Sequence, residues 1–131
     1  MNIFSPTMRL MQQVLDLRAA QHRVIAANIA NEETPGFRAH ELRFTDALAA
    51  ARGSQAVTVQ VTHPRHVPVP GAAVQSYIQP VSAGDLPLDA NSVNIDLEMA
   101  KLSDNTMRFN MTAELLARKF RGLLNTIHEG R

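Results

Sequence analysis

The chain has 131 residues, of which 45% are apolar, 19% charged and 5% aromatic, with no Trp, no Cys and a formal charge of +1. That length supports a single domain, the charge balance without a long basic stripe argues against a nucleic-acid binder, and the missing cysteines exclude disulfides, thiolate metal sites and thiol nucleophiles. A cysteine-free chain is compatible with the cytoplasm and also suits a protein that crosses a membrane unfolded.

The opening stretch Met1-Asn2-Ile3-Phe4-Ser5-Pro6 lacks the basic region and apolar run of a signal peptide, so any export is expected to occur without a cleaved signal. No run of residues is apolar for long enough to predict a membrane-spanning helix.

Ser5-Pro6 reads as an N-cap followed by Pro at the first helical position, and nothing breaks the helix before Asn31. Leu10, Val14, Leu17, Gln21, Val24 and Asn28 form one row in steps of four and three, and Met8, Met11, Leu15, Ile25 and Ile29 lie beside it. This wide apolar face is expected to pack within the chain and to be a candidate surface for another chain. Asn31, which tolerates the left-handed conformation, is expected at the helix C-terminus. Thr34-Pro35-Gly36-Phe37 then carries Pro at i+1 and Gly at i+2, the pair that a type II turn requires. Phe37 follows as the return to apolar surroundings.

Thr45–Arg52 predicts a short helix, with Thr45 as N-cap, Gly53 just beyond, and Leu42, Phe44 and Leu48 as anchors. Val57, Val59 and Val61 alternate with polar residues as in a half-buried strand. Pro64, Pro68 and Pro70 forbid a regular element after it, and Val74–Val81 predicts a second extended piece closed by Pro80. The stretch 53–92 is long and irregular, as functional loops and accessory subdomains are.

The last helix is expected from about Ser92–Asn94 to Ile127. Ile95, Met99, Leu102, Thr106, Phe109, Ala113, Leu116, Phe120, Leu123 and Ile127 follow one another in unbroken steps of four and three. This is a heptad seam, the mark of a helix lying along other helices. Such a rod is about 50 Å long, whereas a compact domain of this size is about 36 Å across. Acidic residues lie near its start and Arg118, Lys119, Arg121 and His128 near its end, the order that complements the helix dipole. Asp104–Arg108 and Glu114–Arg118 are favourable i,i+4 pairs.

Signals of enzymatic chemistry are poor. No nucleophile elbow, phosphate-binding loop, dinucleotide fingerprint or HExxH is present. His63-Pro64-Arg65-His66 is the best local cluster, but Pro64 opposes a helical arrangement of the two histidines and no third ligand has a persuasive spacing. His22 and His40 have no catalytic partner suggested by sequence. No cofactor and no metal are expected, and binding through helix faces is the favoured activity. The expected fold is mainly α. Two long terminal helices form an antiparallel coiled-coil-like pair around an irregular middle with a short helix and short β-strands. Residues 1–36 with 92–131 would make a discontinuous helical core and 37–91 a small accessory region.

Several stretches carry a family resemblance. Ala26-Ala27-Asn28-Ile29-Ala30-Asn31 followed by Thr34-Pro35-Gly36-Phe37 resembles the asparagine-rich motif of flagellar rod, hook and junction proteins. Thr62–His66, Asp89–Ala100 and Leu115–Leu123 resemble segments of the flagellar basal-body rod proteins of the proximal rod. Two local departures are Ser92, where the family often has a second Asn, and Asn94-Ile95-Asp96, where an acidic residue usually precedes; they bear on the helix cap. The resemblance implies a non-enzymatic subunit of the rod, the drive shaft crossing the periplasm. It implies export through the flagellar type III apparatus without a cleaved signal. It also implies partners among copies of the chain, other rod proteins, the rod-base adaptor and the MS-ring region. The assembly surface is then expected at Leu10, Val14, Leu17 and Val24 on the first helix. On the last it is expected at Ile95, Met99, Leu102, Phe109, Leu116, Phe120, Leu123 and Ile127, with the positions towards Phe120 and Ile127 assigned to neighbouring subunits. Competing readings are a soluble helical adaptor that binds one partner helix and a small metal-dependent enzyme using His63 and His66.

Overall fold

A computed structural model describes residues 5–53, 72–82 and 93–130. Its elements are α1 (Pro6–Ala30), β1 (His40–Leu42), α2 (Phe44–Gly53), α3 (Ala72–Gln75), β2 (Ile78–Pro80) and α4 (Ile95–Glu129). The fold is mainly helical, with two long terminal helices and a two-stranded sheet between them in the chain. The Val57–Val61 alternation, the prolines after it and the His63–His66 cluster lie outside the described residues.

Helix α1 starts as its sequence predicts. The Ser5 hydroxyl accepts from the Met8 N–H at 3.3 Å, and Pro6 occupies the first turn, where its missing N–H costs nothing. Its end differs from expectation. Asn31 has φ −104°, so it is not left-handed. Its side chain instead donates to the Ala27 carbonyl at 2.8 Å and accepts from the Thr34 hydroxyl at 3.2 Å. A side-chain amide that reaches back one turn satisfies a terminal carbonyl without the left-handed backbone. The positive φ falls at Gly36, at +74°, and the Phe37 N–H closes the turn on the Thr34 carbonyl at 3.2 Å. This is the type II turn expected from Pro35-Gly36.

The chain then runs into β1, which pairs antiparallel with β2 in the register His40↔Pro80 and Leu42↔Ile78. Pro80 is tolerated because a two-stranded sheet consists of edges. Helix α2 begins at Phe44, so Thr45 lies inside its first turn and does not cap it. The Arg43 carbonyl takes the Ala47 N–H at 3.0 Å, and the Arg43 side chain pairs with Asp46. The expected extended piece from Val74 is helical at first. Val74 and Gln75 belong to the one-turn helix α3, and extension starts only at Ile78. Tyr77 makes the transition, donating to the Val74 carbonyl at 3.0 Å and accepting from the Arg43 N–H at 2.9 Å. Leu17, Ala20, Leu42 and Ala47 form the buried cluster here, with Phe44, Leu48, Val74, Tyr77 and Ile78 packed against it.

Helix α4 is capped by Asn94, whose side chain accepts from the Leu97 N–H at 3.2 Å. At 35 residues it is about 52 Å long. Its principal neighbour is α1. The two helices run antiparallel, because Asn28 meets Glu98 while Arg18, ten positions earlier, meets Asn105.

Candidate assembly surface

The α1–α4 contact has polar side chains at its centre. Asn28, Glu98 and Asn105 are 1%, 3% and 2% exposed. The Asn28 amide donates to the His40 carbonyl at 2.8 Å and to Glu98 Oε2 at 3.0 Å, and its oxygen accepts from the His40 N–H at 2.9 Å. Both of its N–H bonds and its carbonyl are therefore used. One side chain thus ties α1 to β1 and to α4. The other Glu98 oxygen accepts from Lys101 Nζ at 2.9 Å. Ten positions back along α1, the Asn105 amide donates to the Arg18 carbonyl at 3.0 Å. The Arg18 guanidinium bonds Gln21 at 3.0 Å and lies 4.0 Å over the Phe44 ring. Burial pushes the Arg18 guanidinium below its ordinary pKa and nearby Arg108 adds to this, while Asp104 opposes it.

These polar side chains stand beside the expected seam, on the side of α4 that meets α1. Glu98, Leu102, Asn105, Phe109 and Leu116 share the face turned towards α1. Leu102 and Leu116 are half-buried there, and Phe109 lies at its margin. Ile95, Met99 and Thr106 stand to one side and are exposed. A count of apolar positions passes over Glu98 and Asn105, whose burial depends on hydrogen bonds. The available clue was that they stand seven residues apart, two helical turns, beside the seam.

The remaining predicted residues divide. Leu17 and Val24 are buried within the chain, and Leu10 and Val14 are half-buried. Thr34, Pro35 and Gly36 are exposed at the turn, while Phe37 is half-buried with its ring 5.9 Å from that of His40. Phe120, Leu123 and Ile127 continue the α1-facing side of α4, yet they are 41%, 37% and 62% exposed. Equal rise in both helices, counted from the Arg18–Asn105 and Asn28–Glu98 contacts, puts Ser5 opposite about Arg118 to Arg121, so α4 runs on for about 12–17 Å beyond the described start of α1. Leu124 is also exposed on this overhang. On the opposite side of α4, Met107, Met111 and Leu115 form a second exposed apolar row at intervals of four. The Asp104–Arg108 and Glu114–Arg118 pairs stand near it at 2.8 and 2.6 Å, and the Arg118 hydrogen bond holds the Glu114 carboxyl below its ordinary pKa.

A groove of about 700 Å³ lies between α1 and the middle elements, floored by Leu17, Ala20, Val24, Phe37, Val74 and Ile78. Among the described residues, no three metal-ligating side chains converge, and no helix is long and apolar enough to cross a membrane. The chemistry on view is that of helix faces: apolar rows, ion pairs and buried amides.

Comparison with known proteins first gives the class, that of flagellar basal body rod proteins. No family model matches the chain. The relatives include the flagellar basal body rod protein FlgB of Escherichia coli K12, 34% identical over 133 aligned positions and covering 94% of both chains. FlgB of Salmonella typhimurium is 30% identical over 129 positions with the same coverage, and FlgB of Cereibacter sphaeroides is 35% identical over 118 positions, covering 88% of both. At this identity and coverage the chain belongs to the FlgB family.

Proposed function

We propose that the chain is a structural subunit of the flagellar basal-body rod that polymerises through its terminal helices into the torque-transmitting shaft. The observation that supports this best is the α4 overhang, whose apolar side continues the α1–α4 contact past the end of its intramolecular partner. Contacts that repeat without closing generate a helical filament, and a shaft needs many lateral contacts and no catalytic centre. In this reading residues 1–36 with 92–131 form the assembly core and 37–91 an accessory region. Its neighbours are copies of the chain, other rod proteins and the rod-base adaptor, with the MS ring reached indirectly. The subunit reaches the periplasm through the flagellar type III apparatus with no signal cleaved.

The test is a deletion strain complemented with the chain, followed by a subunit-resolved map of its basal bodies. The expected result is loss of the rod on deletion and density for the chain in the rod on complementation. Intact rods in the deletion strain, with the chain in a discrete 1:1 complex with one soluble protein, would overturn the proposal in favour of an adaptor. Mass spectrometry of the rod-borne chain tests export without cleavage.

A further inference from the structure

A cleft of about 600 Å³ opens between the start of α1 and the end of α2, with Thr7, Arg9, Gln13, Ala51 and Arg52 on its walls. Among the described residues, no Asp or Glu lines it. Arg9 is half-buried, and its Nε is closed off from solvent without a hydrogen-bond partner among the described residues. Arg52 is exposed in the last turn of α2. Neither guanidinium takes part in an ion pair among the described residues. The adjoining sequence brings no carboxylate to them, because residues 1–4 and 54–71 contain no Asp or Glu. Two like charges thus share one cleft, and one of them has an N–H with neither water nor an acceptor. An anion relieves both conditions at once.

We propose that this cleft binds a phosphoryl oxyanion, held by Arg9 from α1 and Arg52 from α2. Its walls favour donors. The Ala51 carbonyl, an acceptor at the end of α2 that would oppose an anion, already takes Gln13 Nε2 at 3.1 Å. The same hydrogen bond fastens α1 to the end of α2, which keeps the two arginine positions together. The first turn of α1 contains no acidic residue. The Met8 and Arg9 N–H groups there are used by the Ser5 carbonyl at 3.0 and 3.2 Å. Thr7 is exposed, and its hydroxyl stands at the positive end of a 25-residue helix. One guanidinium fork satisfies a carboxylate, whereas a tetrahedral phosphoryl group has oxygens left for a second guanidinium and a hydroxyl. The donor set therefore matches the phosphoryl group, whether it comes as inorganic phosphate or on a phospholipid headgroup. Bound there, it bridges α1 and α2 and stabilises the folded chain by linkage. The site stands whether or not the chain is a rod subunit.

The test uses the full-length chain as wild type and with Arg9→Gln, Arg52→Gln or both. Inorganic phosphate is titrated at constant ionic strength against chloride, with acetate in a parallel series, while NMR follows the arginine Nε–H and backbone N–H signals. In a second arm the chain is floated with vesicles of phosphatidylcholine, alone or mixed with phosphatidylglycerol. Wild type is expected to show saturable shifts at the Arg9 Nε–H and at Thr7 with phosphate, and binding about tenfold weaker with acetate. Each single change is expected to weaken binding by about tenfold, the loss of one charge-assisted contact, and the double change to abolish it. Arg23→Gln, outside the cleft, is expected to bind as wild type does, and circular dichroism reports whether each variant keeps its helices. Saturation by phosphate assigns the free anion. Flotation only with phosphatidylglycerol, lost in the double variant, assigns the headgroup, and either result supports the site. Shifts that never saturate or that persist in a folded double variant, acetate bound as tightly as phosphate, or no binding in either arm would each overturn it. The comparison of phosphate with acetate uses wild type alone, so it decides the matter even if a variant fails to fold.

Discussion

Asn28 and Glu98, seventy positions apart in the chain, meet in the buried centre of the α1–α4 contact through an Nδ2–Oε2 hydrogen bond of 3.0 Å. The same amide holds both backbone groups of His40. Asn28→Ala would leave the His40 N–H, its carbonyl and one carboxylate oxygen without these partners, the carboxylate at a buried site and the His40 groups at a half-buried one. Unpaired buried groups of this kind cost about 1–3 kcal/mol each before relaxation, so a loss of about 2–4 kcal/mol is expected. Urea denaturation of Asn28→Ala beside wild type checks this. Asn28→Asp is expected to be worse at neutral pH, because it places a second carboxylate against Glu98, and to recover in part as the pH is lowered and one of the two takes a proton. A variant as stable as wild type would show that water replaces the amide.

Gly36 offers a cleaner backbone experiment. A Cβ added there meets nothing within 4 Å, and φ is +74°. Any penalty therefore comes from the left-handed conformation alone. Gly36→Val is expected to cost about 1–2 kcal/mol, Gly36→Ala less, and Gly36→Asn only a few tenths. Thermal melts of the three in parallel test the order. Equal losses would mean that the turn relaxes to another form.

Much of this architecture was legible from local rules. The Ser5-Pro6 start and the Pro35-Gly36 turn rest on interactions within a few residues, while the heptad pattern in α4 and the anchors Leu42, Phe44 and Leu48 show in the sequence as apolar spacing whose partners lie far off in the chain. What escaped was set by distant partners. Asn31 uses its side chain, not a left-handed backbone, to end α1. Strand β1 is three residues long, too short for any period, and it exists because Ile78–Pro80 lies beside it. Val74 and Gln75 look extended in sequence yet form a helical turn against the Leu17 cluster. Glu98 and Asn105 look like solvent-facing residues until Asn28 and the Arg18 carbonyl are brought to them. For the expected assembly residues, the sequence supplies the helical row and the fold supplies the burial of each position. Phe120, Leu123 and Ile127 stand exposed on the expected line, while Leu17 and Val24 are taken up by the chain's own interior.

Glu114 and Arg118 allow a test by pH. The hydrogen bond and the charge of Arg118 lower the Glu114 pKa, against a small opposing effect of desolvation. A carboxyl lowered on folding stabilises the helix above its unfolded pKa, and that contribution is lost as the pH falls through its folded pKa. Both groups are exposed, so the effect is small and salt-sensitive. An NMR titration of the Glu114 side-chain carbon is expected to show the lowered midpoint, and Arg118→Ala should return it upward. An unchanged midpoint in Arg118→Ala would show that the pair does not persist in solution.

Leu17 and Leu123 separate folding from assembly. Leu17 is 3% exposed and packs with Ala20, Leu42 and Ala47. Leu17→Ala removes buried side-chain volume and is expected to cost about 2–4 kcal/mol. Leu123 lies on the overhang, where α4 has outrun α1. Leu123→Asp adds a charge to a surface already in water, so the free chain is expected to keep its stability within about 0.5 kcal/mol. In an assembled rod the same carboxylate would be buried without a partner, which is costly enough to block incorporation. Denaturation of the purified chains and motility of complemented strains therefore give opposite orders: Leu17→Ala damages stability first, Leu123→Asp damages motility with stability intact. A motile strain with normal rods carrying Leu123→Asp would remove the overhang from the assembly surface. A large stability loss in Leu123→Asp would place that side chain inside the free fold.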